Sequence, residues 1–413
     1  MTHVAIVGGG VAGLSTAYFL RRAGEEVTVF EAHRVGSGAS HGNAGWLCPA
    51  QAGPLAEPGL AAHGLRHLAS PDSPLYFAPR HVPRMLPWLL RFARHCNGRD
   101  YRRGVEALAR LGRRTFELFE AMEDDGVELE LHRRGLLLAA EEPGLLKGFL
   151  EGLAPMRELG YEIPRTVLDG PGTRELEPQL SEDVRAGALL TQHWHVQPAT
   201  LMSGLAARLR ELGVRIEEGV DVHELDGTDC RRPRLRTSGG DHEADVVVVA
   251  AGAWSARLTR RLGFRLALQA GKGYSFEVAA EPPLRQALEL VDAHLGLSQF
   301  ATRLRVAGTM EFSGVNLRLD ERRIGAMIRG VARALPGLPL HRVEHRWVGM
   351  RPLVPDGLPV VDRVPGHERI FVATAYSMLG MTLGAPAAEA LAGFIRTGRR
   401  PAELEPFRAD RFA

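Results

Sequence analysis

Residues 4–31 constrain this chain more than any other stretch. Val4-Ala5-Ile6-Val7 is a short apolar run that ends in Gly8-Gly9-Gly10, and Ala12 to Arg22 follows with Leu14, Ala17, Tyr18 and Phe19 on one helical face. After Gly24 the chain returns as Val27-Thr28-Val29-Phe30-Glu31. Such an order predicts a strand–helix–strand unit with buried parallel strands. Within it, Gly8-x-Gly10-x-x-Gly13 has the spacing a dinucleotide site requires. Gly8 makes the tight turn, Gly10 lets backbone N–H groups approach a pyrophosphate at the helix N-terminus, and Gly13 lets helix and strand pack closely. Glu31 ends the second strand, where a carboxylate accepts from ribose hydroxyls; an acid there argues against a 2′-phosphate. The motif alone does not separate FAD from NAD.

The remaining composition narrows the class. With 413 residues, 45% hydrophobic and 24% charged, the chain reads as an ordinary globular protein of two domains, or three. Its net charge of +2 is too balanced for a nucleic-acid footprint. All basic residues but Lys147 and Lys272 are arginine, which singles out Lys272. Cys48, Cys96 and Cys230 stand far apart with no CxxC spacing, as expected in a reducing compartment. No apolar run approaches the roughly 18 residues of a membrane span, and the N-terminus lacks the basic and small-residue pattern of a leader. The expectation is a cytoplasmic protein, with contact at the inner face of the membrane left open.

Along the chain, Gly36 to Gly45 is a Gly/Ser/Ala-rich loop suited to close backbone approach. Residues 50–100 are rich in Pro and His and give no clear element before Trp88 to Phe92. Gly104 to Glu123 reads as one amphipathic helix and 134–195 as an α+β meander. A helix starts near Pro198, runs to Leu212 and stops at Gly213. Strands are expected at 214–216, 220–222 and 245–252. Residues 264–347 alternate like antiparallel strands around a helix near 321–335. The tail returns to α/β, with a strand at 370–373 and a helix from about Ala385 to Ile395. The expected fold is α/β with an α+β second domain. A discontinuous cofactor-binding domain takes residues 1–49, 190–258 and 345–413, and a substrate domain takes 50–189 and 259–344.

Several other motifs compete for a role. His341-Arg342-Val343-Glu344-His345 matches HxxEH, but it follows Pro339 and leads into strand-like sequence, so no metal site is assigned. His193-Trp194-His195 offers two imidazoles without a third ligand, and Gly38-Ala39-Ser40-His41-Gly42 matches GxSxG only formally, inside a long loop. Arg351 precedes Pro352 and a proline-stiffened turn, which suits bidentate binding of a carboxylate.

Gly8 to Glu31, Ala39 to Gly45, Lys272-Gly273-Tyr274-Ser275, Arg305 to Glu311, Gly349-Met350-Arg351-Pro352 and Leu379-Gly380-Met381-Thr382 together resemble the FAD-dependent D-amino-acid oxidoreductase superfamily. The nearest resemblance is to its bacterial D-amino-acid dehydrogenases. This implies a Rossmann-like FAD-binding domain and a substrate domain with a large, mostly antiparallel sheet. It implies non-covalent FAD, since no cysteine falls near 375–384. Val11, Ala12, Ala32, Ala39 and Ser40 would join the glycines and Glu31 around it, and Asn43, Ala44, Gly45, Trp46 and Leu47 would lie along the isoalloxazine. Val222 would meet the adenine side, Gly252 the pyrophosphate, and Leu379 to Thr382 the flavin N1–C2=O edge. Arg351 matches the arginine that clamps the substrate carboxylate. The chain departs from the family around Ala375-Tyr376-Ser377-Met378, so Tyr274 or Tyr376 would assist Arg351, and Met378 points to hydrophobic substrates. The implied reaction is oxidative deamination of a small-molecule D-amino acid by hydride transfer from Cα to flavin N5, with a quinone or dye-type electron acceptor. Oxidation of glycine, sarcosine, D-proline or hydroxy-D-proline, or service as a flavin subunit of an electron-relay complex, are the alternatives.

Overall fold

The computed structural model describes residues 1–59, 72–227 and 232–412; Cys230 and part of the Pro/His-rich stretch lie outside them. Two sheets organise the chain. The first runs in the order Arg215–Glu218, Glu26–Glu31, His3–Val7, Val246–Val249, Ile370–Thr374, Val360–Arg363. All of its pairings are parallel except the last. Its central strands are apolar at almost every position because helices cover the sheet. Helix Val11–Arg22 packs against both Pro198–Glu211 and Gly380–Thr397. A small antiparallel sheet, Val222–Asp226, Arg234–Thr237 and Gly240–Glu243, is appended to this unit.

The second sheet is large and mostly antiparallel. Its main path begins Glu344–Leu353, Gln269–Val278, Leu304–Phe312, Leu295–Gln299, Ala287–Leu290 and continues through Leu136–Ala140 and Ala186–Leu190. Helix Glu321–Ala334 covers one face through Ile324, Met327 and Val331, which share a core with Tyr274, Phe276, Leu297 and Val306. Strand Glu344–Leu353, which the sequence reading set in the cofactor domain from residue 345 on, is hydrogen-bonded into this sheet.

Other boundaries shift for visible reasons. The helix expected over 104–123 is two helices, Gly98–Gly112 and Thr115–Asp124. The strand expected at 220–222 begins only at Val222, because Val220 N–H is taken by Glu31 O. Trp88 to Phe92 sits in a longer helix, Val82–His95. The last helix starts at Gly380 rather than Ala385 despite Pro386. Proline has no N–H for the carbonyl four residues back, and that carbonyl, Thr382 O, instead accepts from Thr115 Oγ1 at 2.9 Å. Residues 340–345 form a single 3-10 turn followed by strand, so His341 and His345 share no helix face. Among the described residues no helix is long and apolar enough to cross a membrane.

Candidate active site

The expected cofactor residues converge at the carboxyl ends of the parallel strands, where open α/β sheets bind their ligands. Gly8 has φ +113°, and a Cβ there would lie 2.5 Å from Ala250 O. A Cβ at Gly13 would lie 1.9 Å from Gly8 O, so strand and helix touch through bare backbone. Glu31 Oε2 accepts from Gly9 N–H at 2.7 Å and its Oε1 from His33 N–H at 3.0 Å, which turns the carboxylate onto the glycine turn. Helices Val11–Arg22 and Gly380–Thr397 both begin without a side-chain cap from Gly10 or Leu379. Their starts adjoin, since a Cβ at Gly380 would lie 3.7 Å from Val11 Cγ1. Two sets of first-turn N–H groups, of which Val11 N–H is taken by Ser40 Oγ, and two positive helix ends therefore face one region. Gly252 follows the Val246–Val249 strand with open space where a side chain would stand. Val222 is buried, two residues after the Glu31 contact.

The Gly/Ser/Ala loop is tied down at several points. Ser40 Oγ accepts from Val11 N–H at 3.0 Å, so the serine of the GxSxG match caps a helix from outside. Asn43 donates to Ala39 O and accepts from Gly45 N–H, closing the loop on itself. Arg305, paired with Glu277 at 2.6 Å, donates to the carbonyls of His41 and Asn43. The following Trp46 donates to Ser298 Oγ, which donates to Ala44 O. Leu47 pairs with Trp194 in a short antiparallel ladder. Thr382 Oγ1 accepts from Cys48 N–H and donates to Trp46 O, joining this segment to the start of the last helix. Sequence reasoning missed the Arg305–Glu277 clamp, because nothing local says that the two lie opposite each other on neighbouring strands.

Strand alternation decides which side of the large sheet looks toward this loop. Gly271 pairs with Arg351 and Gly273 with Gly349. A Cβ at Gly273 would meet the Arg351 guanidinium at 2.3 Å, and one at Gly349 or Gly42 would strike the Trp347 ring. Arg351 and Trp347 thus lie across bare backbone on the loop side. Arg351 Nη1 donates to Thr309 O and lies 3.6 Å from Met310 Sδ. Thr309 sits at a register irregularity with φ +59°, which turns its carbonyl to the arginine. Among the described residues Arg351 has no carboxylate partner. Burial, reinforced by the charge of Arg323, lowers its pKa to about 10, so it stays charged at neutral pH.

Tyr274 and Lys272 face the other way, which corrects the expected role of Tyr274 beside Arg351. They pair with Val348 and Met350 and lie on the side covered by helix Glu321–Ala334. Tyr274 donates its hydroxyl to Glu311 Oε2 at 2.5 Å, and Lys272 Nζ lies 3.1 Å from Glu311 Oε1. Burial, then this hydrogen bond, push the phenol far above its usual pKa. Lys272 is therefore a buried ion-pair lysine. Tyr376 is buried in a turn with positive φ at Ala375 and Ser377, and Ser377 N–H donates to Pro352 O beside Arg351. Met378, in the same turn, is 58% exposed.

The FAD dependent oxidoreductase (DAO) family matches residues 3–393, nearly the whole chain. The chain belongs to this family. D-amino acid dehydrogenase of Methylobacterium radiotolerans is 31% identical, with 97% of this chain and 96% of that protein covered. The same-named protein of Dechloromonas aromatica is 30% identical, covering 98% of this chain and 99% of the relative. Glycine oxidase from Geobacillus kaustophilus shares the fold, with a TM-score of 0.77 at 24% identity over 100% of this chain and 99% of that one.

The residues of this oxidoreductase fit non-covalent FAD: the glycine turn, Glu31 and two adjoining helix starts form a cradle for a phosphate-bearing, ribose-bearing group. Two further groups border the same region, Glu289 unannounced by any motif and His193 from the His193-Trp194-His195 run. Glu289 pairs with Gly296, above which lies Trp46, and accepts from Gln51 at 2.9 Å. Burial pushes its carboxyl up to about 7. His193 packs edge-on against Trp46 with both ring nitrogens buried and unpartnered, and burial holds it neutral.

Proposed function

We propose that the enzyme oxidises D-amino acids, with the unit built on the parallel sheet holding FAD and the large sheet presenting the substrate. The observation that carries the reading is Arg351: a half-buried guanidinium with no anion to neutralise it among the described residues, on the sheet face turned toward the cofactor cradle. A buried charge is costly unless paired, and the planar fork of arginine is matched to a carboxylate. The D-amino acid dehydrogenases of similar sequence support the choice of substrate.

Arg351 binds the α-carboxylate, and the Thr309 carbonyl and the bare backbone at Gly273 hold the guanidinium flat against the sheet. Met310 and Trp347 lie on the same side, which favours hydrophobic substrate side chains. The Tyr376 hydroxyl, without a hydrogen-bond partner among the described residues, supplies a donor near the same turn. FAD contributes acceptance of the electron pair lost with the Cα hydrogen, so the substrate leaves as an imino acid that water hydrolyses to a 2-oxo acid and ammonia. The protein's own contribution is orientation and exclusion of water. Electrons then pass to a quinone or dye-type acceptor, reached by peripheral contact with the membrane.

The test is an anaerobic visible spectrum of the holoenzyme before and after addition of D- and L-amino acids. Bleaching of the flavin band by hydrophobic D-amino acids only is expected; no bleaching by any D-amino acid would overturn the substrate. Arg351→Ala should raise KM by about tenfold to a hundredfold, the loss of a charge-assisted pair, with FAD retained. An unchanged KM would remove Arg351 from the carboxylate site.

A further inference from the structure

Three glycines of the large sheet are bare because a flat group lies on each. A Cβ at Gly273 would meet the Arg351 guanidinium, and one at Gly349 would strike Cζ2 and Cη2 of Trp347. At Gly296 a Cβ would lie 2.6 Å from Cζ2 of Trp46. Gly273 and Gly349 are paired across neighbouring strands, so guanidinium and indole lie side by side on a floor whose Cα atoms are about 5 Å apart. The loop holds Trp347 as well, since a Cβ at Gly42 would strike its Cγ and Cδ2. Trp46 is fixed by its hydrogen bond to Ser298 and by the His193 ring. The Trp347 N–H has no partner among the described residues, and its ring is half-buried. Its position therefore rests on the two glycines it touches.

Strand pairing fixes what lies between the two indoles. Trp347, Ser275, Ala307 and Gly296 stand in one row across four strands, on one face of the sheet. In the next row Arg305 and Ser298 carry the loop, through bonds to the carbonyls of His41, Asn43 and Ala44. Two residues the other way, Gly273 and Gly349 carry the guanidinium and the indole edge. Ser275 and Ala307, both small, thus floor a bay between Arg351 and the loop, with an indole at each end. Its ends are three strand spacings apart, about 14 Å. Contact distances of about 3.7 Å at each indole leave about 7 Å for substrate atoms. A carboxylate, Cα and a short aliphatic side chain fill that span, whereas a benzyl side chain overruns it.

We propose that Trp347, with Trp46 opposite it, sets the size of side chain the enzyme accepts: short aliphatic groups enter the bay and aromatic ones are turned away. The assignment rests on Arg351 as the carboxylate site under Proposed function and narrows the hydrophobic class given there; it does not depend on the redox step. Trp347 is then a specificity-determining residue, and Gly42 and Gly349 hold its ring at the wall.

The test is a titration of the holoenzyme with two carboxylates that lack the amine and so are not oxidised, propanoate and 3-phenylpropanoate, read from the displacement of the flavin band. Wild type should bind propanoate more tightly by about tenfold or more, although 3-phenylpropanoate is the more apolar of the two. W347F keeps an aromatic ring beside Gly42 and withdraws the far edge from Gly349; it should shift the ratio of the two Kd values toward 3-phenylpropanoate by about tenfold. W46L opens the opposite wall without touching the packing of Trp347, and should shift the ratio in the same direction. Propanoate bound no more tightly than 3-phenylpropanoate by the wild type, or a ratio that either variant leaves unmoved, would overturn the assignment. Ordered carboxylate binding without bleaching by any D-amino acid would overturn the proposed reaction and leave the two walls standing. Bleaching by D-amino acids together with carboxylate binding blind to size would overturn the walls and leave the reaction.

Discussion

Single side chains divide here according to which face of a strand they occupy. Tyr274 and Arg351 are near each other in the sheet, yet pairing registers put them on opposite sides. Tyr274→Phe removes a hydrogen bond to a charged carboxylate and should cost about 1.5–3 kcal/mol of stability while leaving KM unchanged. Thermal unfolding and steady-state kinetics check both halves, and a raised KM would return Tyr274 to the substrate side. Glu31 is proposed to act on the cofactor instead. Its carboxylate is held by the N–H groups of Gly9 and His33, with lone pairs left for ribose hydroxyls. Glu31→Arg should weaken FAD retention by at least about tenfold, visible as loss of yellow colour on gel filtration. The glycine motif and Glu31 were legible because their spacing is local. The Arg305–Glu277 clamp was not, because its members meet only through strand pairing.

At the scale of elements, the last helix shows how tertiary contacts override a local breaker. Gly380, Gly384 and Pro386 make 380–386 look like loop in sequence. In the fold Gly384 lies close to Val11, where a Cβ would come within 3.1 Å of Cγ2, and Thr115 takes the carbonyl that Pro386 leaves free. Thr115→Val should therefore destabilise the protein by about 1–3 kcal/mol, the cost of an orphaned buried carbonyl, and Thr115→Ser should recover most of the loss. Equal melting temperatures for the Val and Ser variants would refute this account. The same contact bears on function, because it holds the helix start whose N–H groups face the cofactor cradle.

For the whole molecule, buried imidazoles set the response to acid. Burial holds His193 well below its ordinary pKa of 6.5 and lowers His195 to about 4. As pH falls through 6.5 the unfolded chain takes up protons that the folded chain refuses, so this stability is lost between the unfolded and folded values. Glu289, raised to about 7, works in the opposite direction over part of that window, but one carboxyl faces two histidines. Stability should fall from pH 7 to pH 5, and His193→Leu should reduce that fall by about 2 kcal/mol. Melting temperatures at the two pH values check it; parallel losses in variant and wild type would refute it.

The sequence by itself determined the strand–glycine turn–helix opening, the acid at Glu31 and the α/β character of both chain ends. These follow from hydrophobic period and from glycine spacing within about thirty residues. The reading of the sequence already set the strands at 3–7, 215–218, 246–249 and 370–374 in one discontinuous domain, but only the tertiary structure decided their order in one sheet. It also decided that Arg351 faces the loop side while Tyr274 and Lys272 face a helix. A residue's face depends on register between strands far apart in sequence, and one residue of slip would exchange the two sides. That is why the arginine proposed to bind the carboxylate could be singled out from its neighbours in sequence, but the side chains beside it could not.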